Sequence, residues 1–337
     1  MSVLNSESIL AGSSGGGSDC GDPAMGPTSG PSWGPRGLAI GGGQGQSRTN
    51  YIGYFDHSTS SSLASWGATI ISGNGGGNGG VSNGTRGIYG LRTGDPPWTN
   101  FPTLEYVTIA TTGTVTAFGT CYSAEGHHAS QGASNGTVGI WNNPLNKVDY
   151  VTIATTSNAL AWGTNIFGTN NASGPLMSNN IRAIHGATSG YTNTTIEFVT
   201  ICTPATALSF GDMSTGRDNG NSVANDSIGM FIAGTTGFDC HGGGNPWKSN
   251  VIDKITPMTA GNAQSHGNLL TGVSSFGVST NGTYAVKIAG NTENSCDCNC
   301  NTASMEQWSM ANGGTASAFG SYAPQTANGT GSFSGST

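Results

Sequence analysis

Short apolar runs interrupt a polar background at regular intervals, and six of them are versions of one segment. The clearest are Leu104-Glu105-Tyr106-Val107-Thr108-Ile109, Val148-Asp149-Tyr150-Val151-Thr152-Ile153 and Ile196-Glu197-Phe198-Val199-Thr200-Ile201. Weaker copies begin at Ile252-Asp253-Lys254-Ile255 and Met305-Glu306-Gln307-Trp308, and Ile52-Gly53-Tyr54-Phe55 is the most eroded. Each is β-branched and aromatic, the composition a strand favours. An aromatic-glycine pair follows each copy: Trp66-Gly67, Phe118-Gly119, Trp162-Gly163, Phe210-Gly211 and Phe319-Gly320, with His266-Gly267 in the same slot. Asn-Gly-Thr at 83–85, 135–137, 281–283 and 328–330 marks turns, because Asn-Gly accepts positive φ. A short apolar strand ending in glycine comes next, as in Arg36-Gly37-Leu38-Ala39-Ile40-Gly41 and Arg86-Gly87-Ile88-Tyr89-Gly90. The predicted unit is therefore turn, inner strand, variable loop, middle strand, short turn and outer strands.

The glycines of the aromatic pairs (67, 119, 163, 211, 267, 320) lie 52, 44, 48, 56 and 53 positions apart. That spacing is close to the Kelch-type period of about 50 residues. We expect an all-β chain: a β-propeller of about six four-stranded Kelch-like blades, seven being the other count. The expected repeats are 33–84, 85–136, 137–179, 180–226, 227–282 and 283–329, with a closing strand at 330–337 that completes a blade begun at the other terminus. Closure would hide the sheet edges. An open solenoid is the alternative. Residues 1–32 stand outside the pattern, and 11–32 are nearly all Gly, Ser, Pro and Ala, so this stretch reads as an extended arm or a disordered tail.

Composition reinforces the strand reading. Of 337 residues 57 are glycine and only 8% are charged, leaving a polar surface of Asn, Ser, Thr and Gly, all weak helix formers. The net charge of −7 and the scattered Lys and Arg offer no basic patch for a run of phosphates, so nucleic acid is not an expected partner. No apolar run approaches the roughly 18–20 residues that cross a bilayer as a helix, and no membrane insertion is expected. The opening Met1-Ser2-Val3-Leu4-Asn5-Ser6 has neither the basic start nor the apolar segment of a signal peptide. A surface of extracellular type without an export signal fits a virus particle released by lysis.

The repeats Glu105 to Thr120 and Ile196 to Met213 resemble those of a family of Kelch-like repeat proteins of tailed bacteriophages, especially marine ones, described as tail-fibre or virion proteins. The opening Leu4 to Gly15 is also similar to the start of phage tail or fibre proteins. The repeat likeness covers residues 33–335. It implies a place on the particle exterior, in a multi-copy assembly, with other virion proteins as partners through the arm.

Candidate chemistry is sparse. Cys296-Asp297-Cys298-Asn299-Cys300 alternates three thiols, and with Cys240-His241 it could form a metal site of mixed Cys and His ligands. Loop disulfides are the competing reading, and unbridged thiols the third. The total of seven cysteines leaves at least one without an intrachain partner. Cys121 and Cys202 read as buried small hydrophobes. His127-His128 is a second ligand pair or a solvated loop. Glu105, Asp149, Glu197, Asp253 and Glu306 recur at one position of the repeat, which argues for a structural role rather than a tuned acid/base pair. Gly67, Gly119, Gly163, Gly211, Gly267 and Gly320 are structural for the same reason. Trp98, Trp141 and Trp247, beside prolines and asparagines, suit sugar stacking or blade packing.

The expectation is a non-enzymatic virion protein, a tail-fibre or appendage adhesin that presents a propeller to host-surface glycan. It needs no cofactor apart from the metal ion that the cysteine loops could hold. Capsid or tail decoration without a receptor and a polysaccharide-acting propeller enzyme are the alternatives.

Overall fold

A computed structural model describes residues 33–44, 47–72, 79–90, 92–93, 100–122, 132–143, 147–164, 166–167, 174–186, 191–237, 248–292, 301–322 and 331–335. Its strands form six four-stranded antiparallel sheets, and no helix occurs among the described residues. The protein is a six-bladed β-propeller. From the axis outward, blade II is Val81–Ser82, Arg86–Tyr89, Thr103–Thr108 and Thr116–Thr120. Blade III is Gly132–Ser134, Val138–Asn143, Lys147–Thr152 and Leu160–Thr164. Blade IV is Leu176–Ser178, Arg182–Gly186, Thr195–Thr200 and Leu208–Asp212. Blade V is Asn221–Ala224, Gly229–Thr235, Lys248–Ile255 and Gln264–Asn268, with Gly314–Thr315 added in parallel at its rim. Blade VI is Gly277–Thr280, Tyr284–Asn291, Asn301–Ser309 and Ser317–Ser321.

Blade I joins the two ends of the chain. Gly331–Gly335 is its innermost strand and pairs with Arg36–Ile40, followed by Ile52–Asp56 and Ala64–Ser65. Each innermost strand touches those of both neighbouring blades, so the ring is closed.

The sequence unit and the blade are out of phase by one strand. The strands read from the sequence as innermost, such as Arg86–Tyr89, are second from the axis. The Asn-Gly turn joins the two inner strands of one blade and is not a blade boundary. In five blades the asparagine at its head accepts from the backbone N–H three residues on, at 2.7–2.9 Å (Asn83, Asn135, Asn179, Asn225, Asn281). Gly84, Gly136 and Gly282 supply the positive φ of about 83–84° behind it. Asn328-Gly329-Thr330 precedes an innermost strand, so it is not the counterpart of the other three triplets.

The core is six clusters, one in each gap between blades. The two-residue period of a strand divides its side chains between the two gaps. Leu104 and Tyr106 face blade III with Phe118, while Val107 and Ile109 face blade I with Trp66. Both faces of the sheet are buried, which is why the third strands read as nearly continuous apolar runs.

The aromatic-glycine mark has its cause here. The aromatic fills the gap, and the glycine lets the next blade's outer hairpin lie against the backbone. A Cβ at Gly119 would collide with Ser157 O, at Gly211 with Gly261 O, at Gly267 with Gly314 O and at Gly320 with Ser61 O. At Gly163 it would meet the Ile166 side chain, whereas Gly67 sits at φ 86°. The same hairpins hydrogen-bond across the gap, as in Ala159 N to Thr120 O at 2.8 Å and Ala316 N to Asn268 O at 2.8 Å.

Candidate functional site: the interblade carboxylates and the central cavity

Five of the six third strands carry the repeated carboxylate, on the face turned to the preceding blade. Glu105 accepts from Ile71 N at 3.1 Å, Ser72 N at 2.8 Å, Ser72 Oγ at 2.6 Å and the Tyr89 hydroxyl at 2.9 Å. Ile71 and Ser72 belong to the connection leaving blade I. Asp253 takes Ser214 N at 3.1 Å and Ser214 Oγ at 2.7 Å from the connection leaving blade IV, and it pairs with Arg217. Glu306 takes Leu270 N at 2.7 Å from the connection leaving blade V. Asp149 is buried and stands opposite Trp141, and half-buried Glu197 stands opposite His185. Blade I has Gly53 in this slot, and its seam with blade VI is held by Tyr322, whose hydroxyl donates to Gly41 O at 2.7 Å. A carboxylate with several donors aimed at it is a fastener for backbone N–H groups that would otherwise be orphaned. The five lie in different gaps, so none forms the close pair that acid/base catalysis by two carboxylates requires.

Two of the carboxylates are held by buried cations that sequence reasoning missed. Lys287 and Glu306 are 0% and 1% exposed, with Nζ and Oε1 3.1 Å apart. Lys287 Nζ also donates to Ser304 O at 3.1 Å and Ser304 Oγ at 2.8 Å. Burial pulls the Lys287 ammonium below its ordinary pKa, against the opposing pull of Glu306. Arg217 donates to Val251 O at 3.1 Å besides its ion pair with Asp253. Burial likewise pulls its pKa down, and Asp253 opposes this. The available signal was a lone lysine within the apolar run Ala285-Val286-Lys287-Ile288-Ala289.

His185 is fully buried, with its ring 4.7 Å from Phe167 and its Nε2 3.3 Å from Asn142 Nδ2. Burial holds its pKa down at about 4. The unfolded chain would protonate this imidazole near its ordinary 6.5, so it binds the proton that the native state refuses. Stability contributed by neutral His185 is present above pH 6.5 and drains away as pH falls toward 4. The shift corresponds to about 3 kcal/mol at most. Buried His57 is shifted the same way. Urea unfolding at pH 7.5, 5.5 and 4.5 should show this loss, and His185→Gln should flatten it relative to the parent. Equal slopes in the two proteins would refute the assignment.

The innermost strands surround a cavity of about 100 Å³ on the axis, lined by hydroxyls from every blade and by Trp33. These hydroxyls also stitch the ring. Ser134 Oγ donates to Ser82 O at 2.8 Å, Ser178 Oγ to Ser134 O at 2.5 Å and Ser332 Oγ to Val278 O at 2.6 Å. No charged side chain lines the cavity.

Of the sequence candidates, Trp141 takes the blade-packing role rather than the sugar-stacking one. It is fully buried in Val138–Asn143, and its indole donates to Gly79 O at 3.0 Å, so it offers no face to a glycan. Cys121 is buried between blades II and III. Cys202 is half-buried in a turn, and Asn135 Nδ2 donates to its sulfur at 3.1 Å. Cys240, His241, Cys296, Cys298, Cys300, Trp98, Trp247, His127 and His128 lie outside the described residues. Among the described residues no three His, Cys, Asp or Glu side chains stand together as a metal-binding group.

No protein-family model matches the chain, and no curated protein matches it. Among solved structures it is similar to one described as "Structure of YjhT", with a TM-score of 0.49 and 8% identity. That alignment covers 59% of this chain and 66% of the other, just under two thirds of its length.

Proposed function

We propose that this chain is a non-enzymatic virion protein of a tailed bacteriophage, a tail-fibre or appendage propeller fixed to the particle at one end and presenting the other to host-surface glycan. The observation that carries the reading is the difference between the two ends of the ring. At one end every connection is a hairpin, and the outer hairpins 57–63, 109–115, 153–159 and 201–207 are equal in length. Arg36, Arg86 and Arg182 clasp the next blade there, the first two donating to two carbonyls each and Arg182 to one in the following third-strand turn, at 2.8–3.1 Å. Trp33, where the N-terminal arm joins the propeller, packs at this end against the turn at Gly282. The opposite end carries the connections of unequal length, from 144–146 in blade III to 90–102 in blade II. A base of short, near-equal hairpins, with the long connections at the opposite end, suits a display scaffold.

Cryo-electron microscopy of purified particles tests this, with adsorption of the isolated protein to host cells. The expected result is a six-bladed ring at a distal tail position, its hairpin end toward the particle, and cell binding competed by host glycan. Particles lacking the chain, or a ring whose variable end is buried against neighbouring subunits, would overturn the reading.

A further inference from the structure

Blade VI breaks a pattern at the hairpin end. In blades I, II and IV the first residue of the second strand is an arginine lying over an aromatic ring of the third strand. Arg36 covers Tyr54 at 4.8 Å, Arg86 covers Tyr106 at 4.2 Å and Arg182 covers Phe198 at 4.2 Å. The arginine thus occupies the surface over the ring and makes the bond to the next blade. In blade VI the arginine position is Tyr284 and the ring position is Gln307. Gln307 has taken over the interblade bond, donating from Nε2 to His57 O at 2.6 Å, at the backbone position equivalent to Ile109 O in blade II. Tyr284 is released from that task and stays 42% exposed. Beside it opens a cleft of about 200 Å³.

The chemistry of this cleft is specific. Tyr284 is one wall, and Ser309 faces it in register on the neighbouring strand. The ring sits on rigid backbone, since Tyr284 N donates to Asn281 Oδ1 at 2.7 Å and its carbonyl accepts from Thr280 Oγ1 at 2.8 Å. Asn312, Thr315 and Ser317 add an amide and hydroxyls to a lining that also includes Gln307 and Trp308, and no charged side chain takes part. An exposed aromatic ring with its backbone fixed, beside neutral hydrogen-bonding groups, matches a pyranose. The C–H face of the sugar packs on the ring while its hydroxyls reach the amide and serine groups. We infer that the Tyr284 cleft is a binding site for one neutral sugar residue. It lies at the hairpin end, away from the proposed display end, so either assignment can fail without the other.

Saturation-transfer NMR on the full chain tests it, using methyl β-glucopyranoside, methyl β-galactopyranoside and methyl α-mannopyranoside separately. At least one glycoside should receive saturation, strongest at the protons of its C–H face. That signal should vanish in Tyr284→Ala, persist in Tyr284→Phe and weaken in Asn312→Ala. Tyr122→Ala, which removes an exposed tyrosine from the other end, should leave it unchanged. Absence of signal from all three glycosides, or a signal that survives in a folded Tyr284→Ala protein, overturns the inference.

Discussion

Removing residues 328–337 should abolish the closed monomer, leaving a chain that self-associates and melts without a cooperative transition. The deleted segment supplies the innermost strand of blade I, paired residue for residue with Arg36–Ile40. Its loss bares the inner edge of that strand, with unpaired backbone groups that recruit other chains. Phe333 contributes more than pairing. Its ring occupies the space that side chains at Gly80 and Gly87 would take, so it plugs blade I into blade II. Ser332 Oγ ties the same strand to blade VI, accepting from Val278 N at 2.7 Å. Phe333→Ala alone should cost about 3–5 kcal/mol, the range for a buried aromatic truncated to alanine. Size-exclusion chromatography with light scattering and thermal unfolding read both variants. A synthetic peptide of residues 328–337 added in trans should restore the monomer and the transition. A truncated chain that stays monomeric and melts within a few degrees of the parent would show that closure depends on the other gaps.

The sequence made the third strands, the aromatic-glycine marks and the blade count legible because each reflects a constraint repeated at backbone level. Gly119, Gly211, Gly267 and Gly320 recur because four hairpins press on four backbones in the same way. The frame was less legible. The innermost strands Val81–Ser82 and Gly132–Ser134 are short and rich in serine and glycine, with little hydrophobic alternation to announce them. The apolar second strand therefore mimics an innermost one. Of the two roles open to Trp141, blade packing is the one it takes, because the strand continues through Asn143 and carries the indole into the gap. Lys287, Arg217 and Gln307 could not be placed at all, since their roles depend on which blade their side chains face. Only the packed ring decides that.

The buried pair in blade VI gives the second large effect. Lys287→Met leaves the Glu306 carboxylate in a gap where it is 1% exposed, still accepting from Leu270 N. An uncompensated buried charge of this kind costs about 3–5 kcal/mol. Burial pulls the Lys287 ammonium below its ordinary pKa despite a carboxylate 3.1 Å away. Desolvating both charges offsets much of their mutual attraction. Lys287→Met combined with Glu306→Gln removes both charges and keeps a carbonyl to accept from Leu270 N. The double variant should return to within about 1 kcal/mol of the parent, or exceed it, as apolar replacements of buried pairs often do. Urea unfolding of the parent, both single variants and the double variant closes the cycle. A double variant as unstable as the sum of its singles would show that the two charges act independently. That outcome would mean Glu306 serves the blade V connection alone, with Lys287 neutralising nothing.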